Sequence, residues 1–281
     1  MLLNILGMMT ALSVSTAQDT TFAVSRNARL SLSNFAGEIT VRVWNRSEVR
    51  IETDSESDRG YITVHQSGSA VRVKPRGRYE HGEMSFELTV PRWLPLELSG
   101  TETEILVEGS EASVAATTMD GDVTIRGGKG LVTATSIEGD VLVEGVEARV
   151  TATSVDGDVE VIDTNGDISV QSVDGSIDLS GVTAGSIKAT TVDGDIQFEG
   201  PIRPGGQYAF STHDGDVTIA AGRDINATFT VSTFAGEFES DFPITIQGAT
   251  QRERFSFTLG DGSAQVRLEA FDGTIRLERG E

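Results

Sequence analysis

The chain has 281 residues, 31 of them Gly, with aromatics at 6%, no Cys and a formal net charge of −21. That acidity argues against nucleic acid, which is bound by Lys and Arg that displace its counterions, and against anionic membrane surfaces. Without Cys there is no disulfide framework, no thiolate metal site and no lipid-modified cysteine, while few rings and many glycines suit short strands and tight turns rather than helix bundles.

Residues 1–17, MLLNILGMMTALSVSTA, hold an uncharged apolar run that ends in small residues, with Ser15 and Ala17 placed as a cleavage signal. They read as a secretory signal peptide, so the mature protein is expected to begin at Gln18 and to be exported to the periplasm, the cell surface or the medium. No later segment approaches membrane-spanning length.

Residues 18–100 form an N-terminal β region that leads into a solenoid: LSLSNFAGEITVRVW, EVRIE, YITVHQ, AVRVK and SFELTV alternate apolar and polar residues between turns such as DSESDRG. The basic run Arg72 to Arg78 reads as a solvated hairpin, with an anionic glycan or phosphate as the alternative ligand reading.

From residue 101 to 247 one line recurs: TMDGDVTI, SIEGDVLV, SVDGDVEV, SVDGSIDL, TVDGDIQF and THDGDVTI, then a degenerate seventh, TFAGEFES. The glycines Gly121, Gly139, Gly157, Gly175, Gly194, Gly215 and Gly236 stand 18 to 21 residues apart, the period of a solenoid. Stacked by period, Val123, Val141, Val159, Ile177, Ile196 and Val217 make one apolar column, and Ile125, Val143, Val161, Leu179, Phe198 and Ile219 make the next but one. A weaker echo half a period away, in TNGDISV and TAGSIKA, gives each coil two strand-turn units. A coil with one apolar face cannot bury it alone, so the line is repeated to supply a neighbour above and below. The expected architecture is all-β: a single-chain β-solenoid, β-helix-like, of about 18–21 residues per coil, with two principal sheets. A short third sheet is suggested by the apolar column of Val155 and its equivalents beside the Asp-Gly corner. Residues 248–281, ending in FTLGDGSAQVRLEAFDGTIRLE, read as strands that close the stack and cover its open edge.

Taken together, LSLSNFAGEITVRVWNRSEVRIE, FELTVPRWLPLEL, the VDGDV lines, STFAGEFESDFPITI and FTLGDGSAQVRLEAFDGTIRL resemble the bacterial β-strand-repeat domains of unknown function labelled "putative adhesins". The resemblance covers nearly all of residues 22–279. It implies an exported β-solenoid of the cell envelope, and no catalytic residues come with it.

Charge is uneven: residues 18–100 carry 11 acidic and 11 basic side chains, residues 101–220 carry 22 and 5, and residues 221–281 carry 10 and 6. Two acidic columns concentrate it. Asp122, Asp140, Asp158, Asp195 and Asp216 form one, with Ser176 interrupting, and Asp120, Glu138, Asp156, Asp174, Asp193 and Asp214 form the other. Stacked about 4.8 Å apart, neighbouring carboxylates would repel by roughly 1 kcal/mol even in water, so solvent, turn amides or a cation must absorb the charge. Solvated turn caps are expected, and the first column is the candidate calcium site of a calcium-dependent binding module. The glycine-dense nonapeptide of calcium β-rolls is absent.

The pairs Thr133 and Thr135, Thr151 and Thr153 are read as ordinary outward threonines, since Ser169, Gln171 and Lys188 interrupt an ice-binding array. Phe210, Phe229, Phe234, Phe238 and Phe242 fit a thickened core, or a sugar-stacking platform. His65, His81 and His213 sit in no nucleophile motif. A polysaccharide-cleaving β-helix with paired carboxylates is the enzyme alternative, against which so short a coil leaves no loops to wall a cleft. The main reading is therefore non-catalytic, without cofactor: an envelope scaffold or adhesin-like binding surface whose partner is an envelope protein or a glycan.

Overall fold

The computed structural model describes residues 19–54, 61–76, 83–222, 224–245, 247–251 and 254–280. The signal segment with its cleavage site, the end of the basic run and His81 lie outside these residues. All the regular structure described is β, in two sheets of 13 and 14 strands.

Alternation dictates the strands. Val159–Ile162 buries Val159 and Val161 and exposes Glu160, and it pairs in parallel with Val141–Glu144 on one side and Ile177–Ser180 on the other. The register is set by the repeat: Val141, Val159 and Ile177 are direct partners, as are Val143, Val161 and Leu179. The second sheet stacks Val132, Val150, Ile168, Ile187 and Tyr208 in the same manner, with Ala134, Ala152, Val170, Ala189 and Phe210 two residues on. Small Ala and Val in these columns bring the two sheets close together. Phe198 and Phe210, with ring centroids 5.4 Å apart, fill a wider core where the coils lengthen. Both sheets contribute to one continuous hydrophobic core running from Phe22 to Leu277, so the N-terminal β region and the repeats are a single packed body.

The corner beside the Asp-Gly pairs is narrower than a third sheet. It is a ladder one residue wide, in which Glu102, Asp120, Glu138, Asp156, Asp174, Asp193 and Asp214 bridge in succession. The Val155 column next to it is exposed rather than buried.

Both ends of the stack depart from sequence order. The strand Ala264–Asp272 lies between Gln207–Asp214 and Ala227–Thr233, and Ile275–Arg279 lies between Val217–Ala221 and Phe238–Ser240. The final strands are thus inserted one coil in from the edge instead of closing the stack. The seventh rung is FDGTIRL, and TFAGEFES becomes the eighth. The reason is register: FDGTIRL keeps the Asp-Gly corner, with Gly273 at φ 144°, whereas TFAGEFES has lost the Asp. The outer cover falls to the antiparallel strands Arg254–Leu259 and Gln247–Gln251.

The N-terminal end is built alike. Arg29–Ser33 sits between Ala70–Arg76 and Leu96–Ser99, Ala36–Trp44 sits between Ser85–Pro91 and Glu102–Ser110, and antiparallel strands at Asp19–Ala23, Glu48–Asp54 and Tyr61–Ser67 finish the edge.

Candidate functional site

Each residue of the line Ser154-Val155-Asp156-Gly157-Asp158 has a separate task. Ser154 is buried and donates its hydroxyl to Gly139 O of the preceding coil at 2.9 Å, and Ser136, Ser172, Thr191 and Thr212 repeat the bond to Gly121, Gly157, Gly175 and Gly194. A buried hydroxyl and a half-buried glycine carbonyl thereby satisfy each other. Gly157 has φ 149°, and a Cβ there would overlap Gly139 O, so coil spacing and backbone conformation both demand glycine.

The candidate metal ligands Asp122, Asp140, Asp158, Asp195 and Asp216 do stack, and the structure gives them a partner that the sequence did not disclose. Asp140 N–H donates to Asp122 Oδ1 at 2.9 Å, Asp158 N–H to Asp140 Oδ1 at 2.8 Å, and Ser176 N–H to Asp158 Oδ1 at 2.7 Å. Ser176 continues the series by accepting from Asp195 N–H through its hydroxyl at 3.3 Å, and Asp195 accepts from Asp216 N–H at 2.8 Å. The carboxylates therefore cap the backbone of the next coil rather than their own turn, tying successive rungs together. Among the described residues no group of three or more His, Asp or Glu converges to hold a metal ion.

The column ends at the inserted C-terminal strand. Asp216 accepts from Thr274 N–H at 2.7 Å and from the Arg276 guanidinium at 2.6 Å, and Arg276 also reaches Glu239 at 3.3 Å. The Thr274 amide, with the Arg276 charge, holds the Asp216 carboxyl below the usual carboxylate range. On the adjacent face, burial and the neighbouring Glu199 push Asp178 up.

The exposed side of the corner is the unusual surface. Of the eight large apolar side chains that stand exposed among the described residues, seven belong to one column: Met119, Ile137, Val155, Val173, Val192, Phe271 and Phe234. Val155 is 41% exposed and Phe234 63%. Backbone bonds from Glu138 N–H to Met119 O, Asp156 to Ile137, Asp174 to Val155, Asp193 to Val173 and Asp214 to Val192 hold the rungs in order. His213 occupies the rung after Val192 and stacks on Phe271 at 4.6 Å between ring centroids, and Phe271 stacks on Phe234 at 4.8 Å. Beside these rings the surface hollows into a depression of about 440 Å³ lined by Ser211, Ser232, Glu269 and the three rings. One flank of the column is the exposed acidic row Asp120, Glu138, Asp156, Asp174, Asp193, Asp214 and Asp272. The other is the uncharged row Thr117, Thr135, Thr153, Gln171 and Thr190.

Nothing in the backbone calls for an apolar residue here, since Thr101 takes the equivalent place one coil before Met119, where its carbonyl accepts from Asp120 N–H. The signal was present in the sequence: alternation from Ala152 through Ser154 inward puts Thr153 and Val155 outward. Of the phenylalanines offered as a core or a sugar platform, Phe210, Phe229 and Phe242 are buried, Phe238 is half-buried, and Phe234 alone is exposed. Its ring faces Phe271, so the stacked rings present mostly their edges. His65 is on a separate edge strand, paired with Arg72.

On the N-terminal coils a second depression of about 580 Å³ is lined by Glu38, Thr40, Arg42, Glu52, Asp54 and Glu87, with Arg42 ion-paired to Glu87.

No helix among the described residues is long and apolar enough to cross a membrane. No curated protein matches the chain. A solved structure of a putative adhesin from Bacteroides fragilis aligns over 92% of this chain and 95% of its own at 11% identity, with a TM-score of 0.47. A putative cell adhesion protein from Clostridium sporogenes aligns over 93% and 98% at 10% identity, with a TM-score of 0.26. Residues 163–278 of the all-β stack match the family described as Toastrack DUF4097, and this segment is similar to that family, of the β-strand-repeat kind that the sequence motifs resemble.

Proposed function

We propose that the protein is an exported, non-catalytic β-solenoid that serves the cell envelope as a scaffold or adhesin-like binding surface. The observation that carries this reading is the exposed apolar column, in which seven of the eight large apolar side chains exposed among the described residues fall on one edge. Contiguous apolar surface of this kind marks interaction sites, and here the fold does not require it, because Thr101 serves as well. Export is supported by the apolar segment 1–17 and its small-residue site before Gln18.

The test is retention of the purified protein on envelope fractions and on a glycan array, with and without calcium, for the wild type and for Val155→Thr/Val173→Thr/Val192→Thr. Retention that drops in the triple variant is expected. Equal retention of both proteins overturns the reading, a strict calcium requirement moves the site to the Asp122 column, and release of cleaved glycan makes the protein an enzyme. Mass spectrometry of the native protein checks export, and an intact Met1 terminus in the cytoplasm refutes it.

A further inference from the structure

Resting on that reading, we infer that the corner edge docks a basic amphipathic α-helix of a protein partner, with its apolar stripe on Met119, Ile137, Val155, Val173 and Val192 and its Lys and Arg over the acidic row.

Three observations narrow the occupant. First, the column cannot extend a sheet. The carbonyls of Met119, Ile137, Val155, Val173, Val192 and Phe271 already accept from the next coil, so an added strand would find no row of acceptors. A helix satisfies its own backbone and needs only side-chain contacts. Second, the charge is one-signed. Asp120, Glu138, Asp156, Asp174, Asp193, Asp214 and Asp272 border the column, and none of them forms an ion pair among the described residues. This border repels a second copy of the chain, which carries the same row, and it repels anionic lipid. It attracts a cationic partner. Third, the dimensions fit. Eight rungs from Met119 to Phe234 span about 34 Å at the strand spacing, the length of about 22 helical residues. The uncharged Thr flank makes the apolar stripe narrow, and the depression beside His213, Phe271 and Phe234 has room for one large side chain.

The probe is a synthetic helix of about 22 residues carrying a Leu stripe on a Lys background. Two comparators have Ser in place of Leu and Glu in place of Lys. Binding to the full chain is read by fluorescence anisotropy at low and physiological ionic strength. The Leu/Lys helix is expected to bind about tenfold or more tighter than the Ser/Lys one, a margin of about 1.4 kcal/mol, and the Leu/Glu helix not at all. Val155→Thr/Val173→Thr/Val192→Thr changes no charge, uses a residue that the fold already accepts at Thr101, and is expected to erase the margin. Asp156→Asn/Asp174→Asn/Asp193→Asn is expected to weaken both Lys helices and flatten the salt dependence. The inference is overturned if the Thr variant binds the Leu/Lys helix as wild type does, because the attraction is then general charge alone, or if the Leu/Glu helix binds equally. Should the Thr variant lose envelope retention while its peptide binding is unchanged, the helix is wrong and the binding surface stands. Unchanged retention together with unchanged peptide binding removes both.

Discussion

From Val114 to Glu199 each strand pairs with strands about one period before and after it, whereas at both ends strands from elsewhere in the chain are inserted between neighbours out of sequence order. The central coils are therefore a nearly one-dimensional array, in which a contact spans 18 to 21 residues. The C-terminal seam joins residues about 60 apart, as Arg276 does with Asp216. Repeat arrays lose order from exposed ends, where a coil has only one neighbour. Inserting a remote strand between the last two repeat coils means that the inner coil cannot leave without displacing it, and the antiparallel cover hides the edge of the outer one. The middle is specified by repetition and the ends by interleaving.

The largest effects should separate these two regimes. Val159→Asp puts an unpaired carboxylate into the dry central column and is expected to cost about 4 kcal/mol or more, melting coils on both sides, while Glu160→Lys on the outward face stays within about 0.5 kcal/mol. Leu268→Asp does the same chemistry in the inserted strand. Its damage should stay at the C-terminal end, with hydrogen exchange accelerated from residue 207 onward and protection kept in coils 114–180. Uniform loss of protection in Leu268→Asp would mean that the ends and the middle fold as one unit.

Glycine offers the next contrast. Gly157→Ala forces a Cβ onto the carbonyl of the coil below at φ 149°, for an expected loss of about 2–4 kcal/mol in chemical denaturation. Gly145→Ala meets nothing within 4 Å and carries only its φ of 65°, costing about 1 kcal/mol. A smaller loss of about 1–2 kcal/mol is expected for Ser154→Ala, which strands Gly139 O without its hydroxyl donor.

Acid should loosen the seam before the middle. The folded Asp216 carboxyl titrates below its unfolded value, so its contribution is complete above the ordinary carboxylate range and is lost as pH falls through the folded value. It is one-third exposed, so the effect is under about 1 kcal/mol. Asp216→Asn should flatten the acid limb of the melting curve at the C-terminal end and leave central protection unchanged.

The smallest effect concerns the repeating charge itself. Asp140→Asn/Asp158→Asn keeps both Oδ1 acceptors for the next coil and removes two like charges, so melting temperature should rise by a few degrees, as it should with added salt. Calcium should add little beyond magnesium at matched ionic strength. A calcium-only shift that this double change abolishes would make the column a metal site.

How much of the fold was legible depends on where the contacts lie. The columns Val141 to Ile196 and the Gly139 to Gly215 corners could be read directly, because in a solenoid the sequence period is also the spatial neighbour. The exposed Val155 column was legible by alternation, yet its period alone aligns it with the core columns. In a parallel stack an outward apolar column has the same period as an inward one, and what tells them apart is the alternation that places Ala152 and Ser154 inward and Val155 outward. The role of Asp122, Asp140 and Asp158 in capping the next coil was not legible, because the composition of a corner does not say which backbone amide its carboxylate will meet.

By itself the sequence determined the all-β class, the coil length, the parallel register of the central rungs and the place of the negative charge, since each arises from period and alternation within one or two coils. Only the tertiary structure decided that Ala264–Asp272 and Ile275–Arg279 enter between earlier strands, and so brought Phe271 between His213 and Phe234 and Arg276 onto Asp216. The physical reason is that any strand with the right alternation can pair with any open edge. Local pattern says that FDGTIRL will join the stack, and the competition among edges for the best-matched corner says where.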